Sequence, residues 1–124
     1  EIPSEQGMEA KTLPADGVLA EPDPADVALL RRTMADRVGV IRDRAGMEAA
    51  LRTIAEIEAR NRVPRFRNAL TAARMIASGA LARTESRGGH FRSDYPDHDP
   101  AWRHRTYMTL SEAEAAAPVA APVA

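Results

Sequence analysis

The chain has 124 residues, a formal net charge of −1 and no cysteine, which bounds it to one modest domain without disulfides or thiolate chemistry. It has no run of about 18 apolar residues, so no membrane span is expected, and its opening lacks the apolar core of a secretory leader. The near-neutral total hides a division: residues 1–24 hold six acids against Lys11 alone, whereas residues 25–110 hold sixteen arginines against ten acids.

Residues 1–23, with Pro3, Pro14 and Pro22, show little apolar periodicity and are expected to be linker or disordered chain. The start at Glu1 reads as the beginning of a segment from a longer protein. The first helix should begin at Pro24. Asp23 can cap it, Pro24 sits where its missing N–H costs nothing, and Asp26 suits the positive helix end. Val27, Leu30, Met34, Val38 and Ile41 recur at spacings of three and four, which puts them on one face. Gly39 marks the end of this helix, and Asp43 is the expected cap of the next.

The second helix is expected over residues 44–61, with Met47, Leu51, Ile54, either Ile57 or Glu58, and Asn61 tracing its stripe and Ala50 and Ala55 allowing close approach. Pro64 ends it, because a proline pushes the preceding residue out of helical geometry. The third helix is expected over residues 64–87, with Phe66, Leu70, Ala73, Ala77, Ala80 and Thr84 on one face and Ala69, Ile76 and Leu81 alongside. Its many alanines, together with Gly79, imply close contact with another backbone. Gly88 and Gly89 are the expected stop. No strand-like alternation occurs. The fold class predicted is all-α: an up-down-up three-helix bundle over residues 24–110, with an extended N-terminal linker and an irregular C-terminal segment. Residues 111–124, rich in Ala, Pro and Val, are expected to be a disordered tail. The third helix is apolar over more of its girth than two neighbours need. That surplus predicts a face for another domain or subunit.

Residues 85–110 concentrate the chemistry. All three histidines, His90, His98 and His104, lie there with Asp94, Asp97 and Asp99. Their spacing matches no metal site, and arginines crowd them, so solvated loop residues are the preferred reading. A catalytic reading would make His90 a general base oriented by Asp94 or Glu85. No nucleophile elbow, phosphate-binding glycine loop or dinucleotide fingerprint accompanies it. The arginines fall on all sides of the helices with acids between them, unlike a phosphate-gripping face. Pairs such as Glu48–Arg52 and Glu56–Arg60 explain many of them as helix surface. Docking fits the segment better: Arg83, Arg87 and Arg92 can make forked hydrogen bonds, Glu85 can answer one, and Phe91 and Tyr95 can serve as anchors.

The stretch from Arg67 to Pro96, with Arg83, Glu85-Ser86-Arg87-Gly88, His90, Arg92 and Asp94-Tyr95-Pro96, resembles the C-terminal helical domain of the fumarate reductase, succinate dehydrogenase and L-aspartate oxidase flavoproteins. Leu30, Met34, Gly39, Val40 and Arg42 match that family's first C-terminal helix, and the likeness covers residues 27–110. The short connection between the second and third helices and the segment Trp102 to Leu110 look more like the L-aspartate oxidase branch. Gly89 departs from the family, where Ala or Leu is usual. The resemblance implies FAD in the full-length enzyme, and oxidation of L-aspartate to iminoaspartate with oxygen or fumarate as acceptor. It implies a step that feeds NAD biosynthesis in a bacterial cytoplasm. None of the family's flavin-binding or proton-transfer motifs occurs here, so catalytic, cofactor-binding and metal residues are all expected to be absent. The partner implied is the FAD-binding domain of the same polypeptide, met by Arg83, Glu85, Arg87, His90, Arg92, Asp94 and Tyr95. Self-association of the isolated chain stays open. Nucleic acid and membrane are not expected as partners. A succinate dehydrogenase or fumarate reductase flavoprotein, or a free-standing interaction module, is the alternative.

Overall fold

The computed structural model describes residues 20–116; the expectations for residues 1–19 and 117–124 lie outside them. Within that span the chain is mostly helical. It has four helices, α1 (Pro24–Arg37), α2 (Arg44–Arg60), α3 (Pro64–Ala82) and α4 (Leu110–Ala115). Between them lie two short strands, β1 (Ile41–Arg42) and β2 (Phe91–Arg92), and a 3-10 turn at Pro100–Trp102.

The caps form where the sequence put them. Asp23 accepts from the Ala25 amide at 2.8 Å and Asp43 from the Gly46 amide at 2.6 Å, each satisfying a donor that a helix start leaves orphaned. α2 is the central element, packed against both α1 and α3. Its stripe of Met47, Ala50, Leu51, Ile54 and Ile57 is fully buried, and Phe66, Leu70, Ala73, Ala77 and Ala80 of α3 close over it. Each buried Leu or Ile contributes about 1.5–3 kcal/mol on leaving water. Charged pairs stitch the helix surfaces: Arg74 of α3 forks onto Glu58 of α2. Arg60 forks onto Asp26 of α1, at 2.6 Å for the shorter contact, and not onto the carboxylate of Glu56.

Five expectations are corrected. Ile41 does not continue the α1 stripe; it lies in β1 and is 66% exposed. α3 ends at Ala82, not Arg87, because the Arg92 guanidinium takes the Leu81 and Arg83 carbonyls at 2.9 and 3.2 Å. Gly88, at φ 56, therefore serves a tight turn between Arg87 and His90 and does not terminate a helix. Gly79 makes no close approach: a Cβ there would meet nothing within 4 Å. Finally, residues from Ser111 onward are not all tail. Thr109 and Glu112 form a reciprocal capping box that starts α4. α4 packs on α3, with Ala113 buried and its carbonyl accepting from the Ser78 hydroxyl at 3.4 Å. Part of the surplus apolar girth of α3 is covered by this turn, although Ile76 stays 55% exposed.

β1 and β2 pair in parallel, Ile41 opposite Phe91 and Arg42 opposite Arg92. Two residues per strand are too few for alternation to register in a sequence. This small ribbon ties the loop after α3 to the junction between α1 and α2.

Candidate functional site

The loop that follows α3 folds into a knot of ion pairs. Glu85 is fully buried. Its carboxylate accepts from Arg87 Nε and an Arg87 terminal nitrogen, both at 2.9 Å, from Arg83, and from the Asp99 amide at 3.0 Å. Those bonds, chiefly the Arg87 fork, hold its pKa down to about 2 against the cost of burial. Arg83 reaches on to the carbonyls of Trp102 at 2.9 Å and His104 at 2.7 Å, with its guanidinium 5.3 Å from the Trp102 ring centre. This geometry fits a cation–π contact.

Arg92 is the second centre, also fully buried. It forks onto Asp94 at 2.8 and 2.6 Å, caps the end of α3, and lies 4.9 Å from the Tyr95 ring centre. Asp94 also accepts from the Arg44 amide at 3.1 Å, at the N-terminus of α2, where a negative charge is favoured. The Arg92 bonds foremost, then that amide, lower the Asp94 pKa to about 2. Ser86 pins the loop from within. Its hydroxyl accepts from the Arg92 amide and lies 2.8 Å from the Tyr95 carbonyl, while its own amide donates to the Asp97 carbonyl at 3.1 Å.

His90 has neither Glu85 nor Asp94 as a partner, which a general base oriented by either would need. Its Nε2 lies 3.1 Å from the Arg83 carbonyl, which assigns the proton to that nitrogen, and Nδ1 accepts from Arg42 at 2.9 Å. Burial, reinforced by the Arg42 charge, lowers its pKa. A neutral ring wedged between an arginine and a carbonyl is a structural strut.

The seven residues predicted for docking are thus brought together, and about half of their side-chain bonds run to each other. Glu85 and Arg92 are withdrawn from solvent, Arg83 is largely covered, and Arg87, Asp94 and Tyr95 reach the surface in part. Ser86, Arg42, Asp99 and Trp102 are equally part of the knot, and the sequence reading gave them no role there. The lone Trp beside two arginines was the available signal. Among the described residues no group of three His, Asp or Glu is placed to hold a metal ion, and no helix is long and apolar enough to cross a membrane.

Comparison with known proteins bears on this loop directly. A family model described as the fumarate reductase flavoprotein C-terminal region matches residues 60–121, which include the loop and its ion pairs but not Arg42. L-aspartate oxidase of Rhodospirillum rubrum is 59% identical over 83 residues, covering 67% of this chain and 30% of that protein. L-aspartate oxidase of Caulobacter vibrioides is 45% identical over 95 residues, covering 75% of this chain and 18% of that protein. Among solved structures, the Mycobacterium smegmatis Sdh1 complex in the apo form matches with a TM-score of 0.59 at 38% identity, over 68% of this chain and 17% of that one. The chain spans less than a third of the length of these curated relatives.

Proposed function

Because the chain belongs to the fumarate reductase flavoprotein C-terminal family, we propose that it is the helical domain of an FAD-dependent L-aspartate oxidase. In this reading the full enzyme converts L-aspartate to iminoaspartate in the cytoplasm for NAD synthesis, and residues 24–110 support the flavin-binding domain without touching the reacting atoms. The three long helices act as an up-down-up bundle. The knot fixes the loop of residues 85–110 in the shape that meets the flavin domain. Arg83, Glu85, Arg87, His90, Arg92, Asp94 and Tyr95 are the residues assigned to that docking segment.

The observation that carries this reading is the 59% identity to the R. rubrum oxidase, which runs well above the 38% identity to Sdh1. The likeness to Sdh1 supports the second reading, a succinate dehydrogenase or fumarate reductase flavoprotein. Substrate preference separates them: the full-length polypeptide, purified with its flavin, should be reduced by L-aspartate and not by succinate. The reverse would establish the second reading. The isolated chain should be colourless and inert towards both, and flavin retained by it alone would contradict the supporting role.

A further inference from the structure

The knot leaves one surface that its own bonds do not use up. A shallow cleft of about 410 Å³ runs between Arg83, Arg87, Trp102, Arg103, His104 and Arg105. Four guanidinium groups line it. Two of the four, Arg83 and Arg87, are paired with the buried Glu85 carboxylate. Arg103 and Arg105 are exposed, and Trp102 and His104 stack at 6.0 Å between centroids to form an aromatic wall. A separate hollow carries the opposite charge, because Asp94, Asp97 and Asp99 line it.

We infer that this cleft is the docking surface, and that its occupant is an acidic segment of the flavin-bearing part of the same polypeptide; the inference rests on the function proposed above. Charge complementarity selects the occupant. Guanidinium groups beside an aromatic wall favour carboxylates, which they can take bidentately. An open, shallow cleft suits a chain segment lying across it better than a small molecule enclosed by it. Paired charges at such an interface fix register and exclude wrong partners more than they add raw affinity. The internal ion pairs of Glu85 and Arg92 hold the cleft in shape, and Arg87, Arg103 and Arg105 make the contact. The rival surface is the apolar outer edge of the ribbon, with Val40 83% and Phe91 40% exposed, where no charge selects a partner.

Amide hydrogen exchange compares this chain alone with the full-length polypeptide. Amides of residues 101–105 should exchange about tenfold or more slowly in the full-length protein, as expected when a surface is covered by a docked domain. Arg103→Glu with Arg105→Glu should remove most of that protection and leave the protection of α2 unchanged. Arg103→Gln with Arg105→Gln should remove part of it, and serves if the reversed pair disturbs folding. Protection confined to residues 40–41 and 91, with the cleft as open as in the isolated chain, would overturn the cleft and leave the docking reading standing. A cleft protected equally in both variants would overturn the acidic occupant. Exchange identical everywhere in the two proteins would remove the docking reading itself.

Discussion

Glu85 and Arg87, two residues apart, face each other through two parallel hydrogen bonds of 2.9 Å, with the carboxylate wholly withdrawn from water. A buried ion pair of this kind adds little over an apolar substitute, yet removing one member is costly because the other charge loses its answer. Glu85→Ala should therefore lower the melting temperature of the isolated chain clearly more than Arg52→Ala on the exposed face of α2. Equal melting points for the two variants would mean that the pair is idle.

Arg92 makes a sharper demand on shape. It serves Asp94 on one side and the Leu81 and Arg83 carbonyls on the other, which requires a planar fork. Lysine keeps the charge but has a single donor centre. Arg92→Lys should therefore melt nearly as early as Arg92→Ala. Near wild-type stability in the lysine variant would show that charge alone is enough.

Acid should loosen the knot in two stages. The folded pKa of Glu85 and of Asp94 is about 2, below the ordinary 4.5 and 3.8. Their contribution is thus complete above those ordinary values and is lost as pH falls towards 2. His90 is lowered from 6.5, so the unfolded chain takes up a proton first as pH drops below 6.5, and stability declines there too. A melting temperature flat at neutral pH, sloping gently below 6.5 and steeply below 4.5 is the expected profile. Glu85→Gln should flatten the lower limb and His90→Gln the upper. Stability rising between pH 7 and 4 would contradict both assignments.

The glycines separate by position. Gly79 sits inside α3 with open space where a Cβ would go, so Gly79→Ala should stabilise the chain by about 0.5–1 kcal/mol. Gly88, at φ 56, should lose roughly 1–2 kcal/mol on becoming Ala. Gly39→Ala should be worse than either, because the new Cβ would lie 2.2 Å from the Ala35 carbonyl oxygen. Denaturant titration of the three variants gives the order, and a destabilised Gly79→Ala would mean that α3 packs there against something more.

The helices were legible in the sequence because their signals are local: Asp23 with Pro24, Asp43, and Pro64 each act within one turn. The stripe of α2 was equally clear. What stayed hidden depends on partners far along the chain. Nothing near Ala82 announces that α3 stops there; the cause is Arg92, ten residues on. β1 could not be read because its partner lies across the fold. α4 was obscured by composition, since alanine that reads as a featureless tail becomes core once Ser78 and the small residues of α3 leave room for Ala113. The sequence grouped seven charged and aromatic residues for docking, which the structure places close together. It did not disclose that Glu85 and Arg92 face inward.

The parallel pairing of Ile41 with Phe91 has a kinetic meaning. It joins segments fifty residues apart, and Asp94 reaches the Arg44 amide over the same separation. Contacts of such span carry the largest loop-closure entropy, whereas α2 meets α3 through a three-residue connection. The helices should consolidate first and the ribbon should latch last. Weakening the latch with Asp94→Asn should then speed unfolding while leaving the refolding rate nearly unchanged, a pattern that stopped-flow measurements on the isolated chain would reveal or refute.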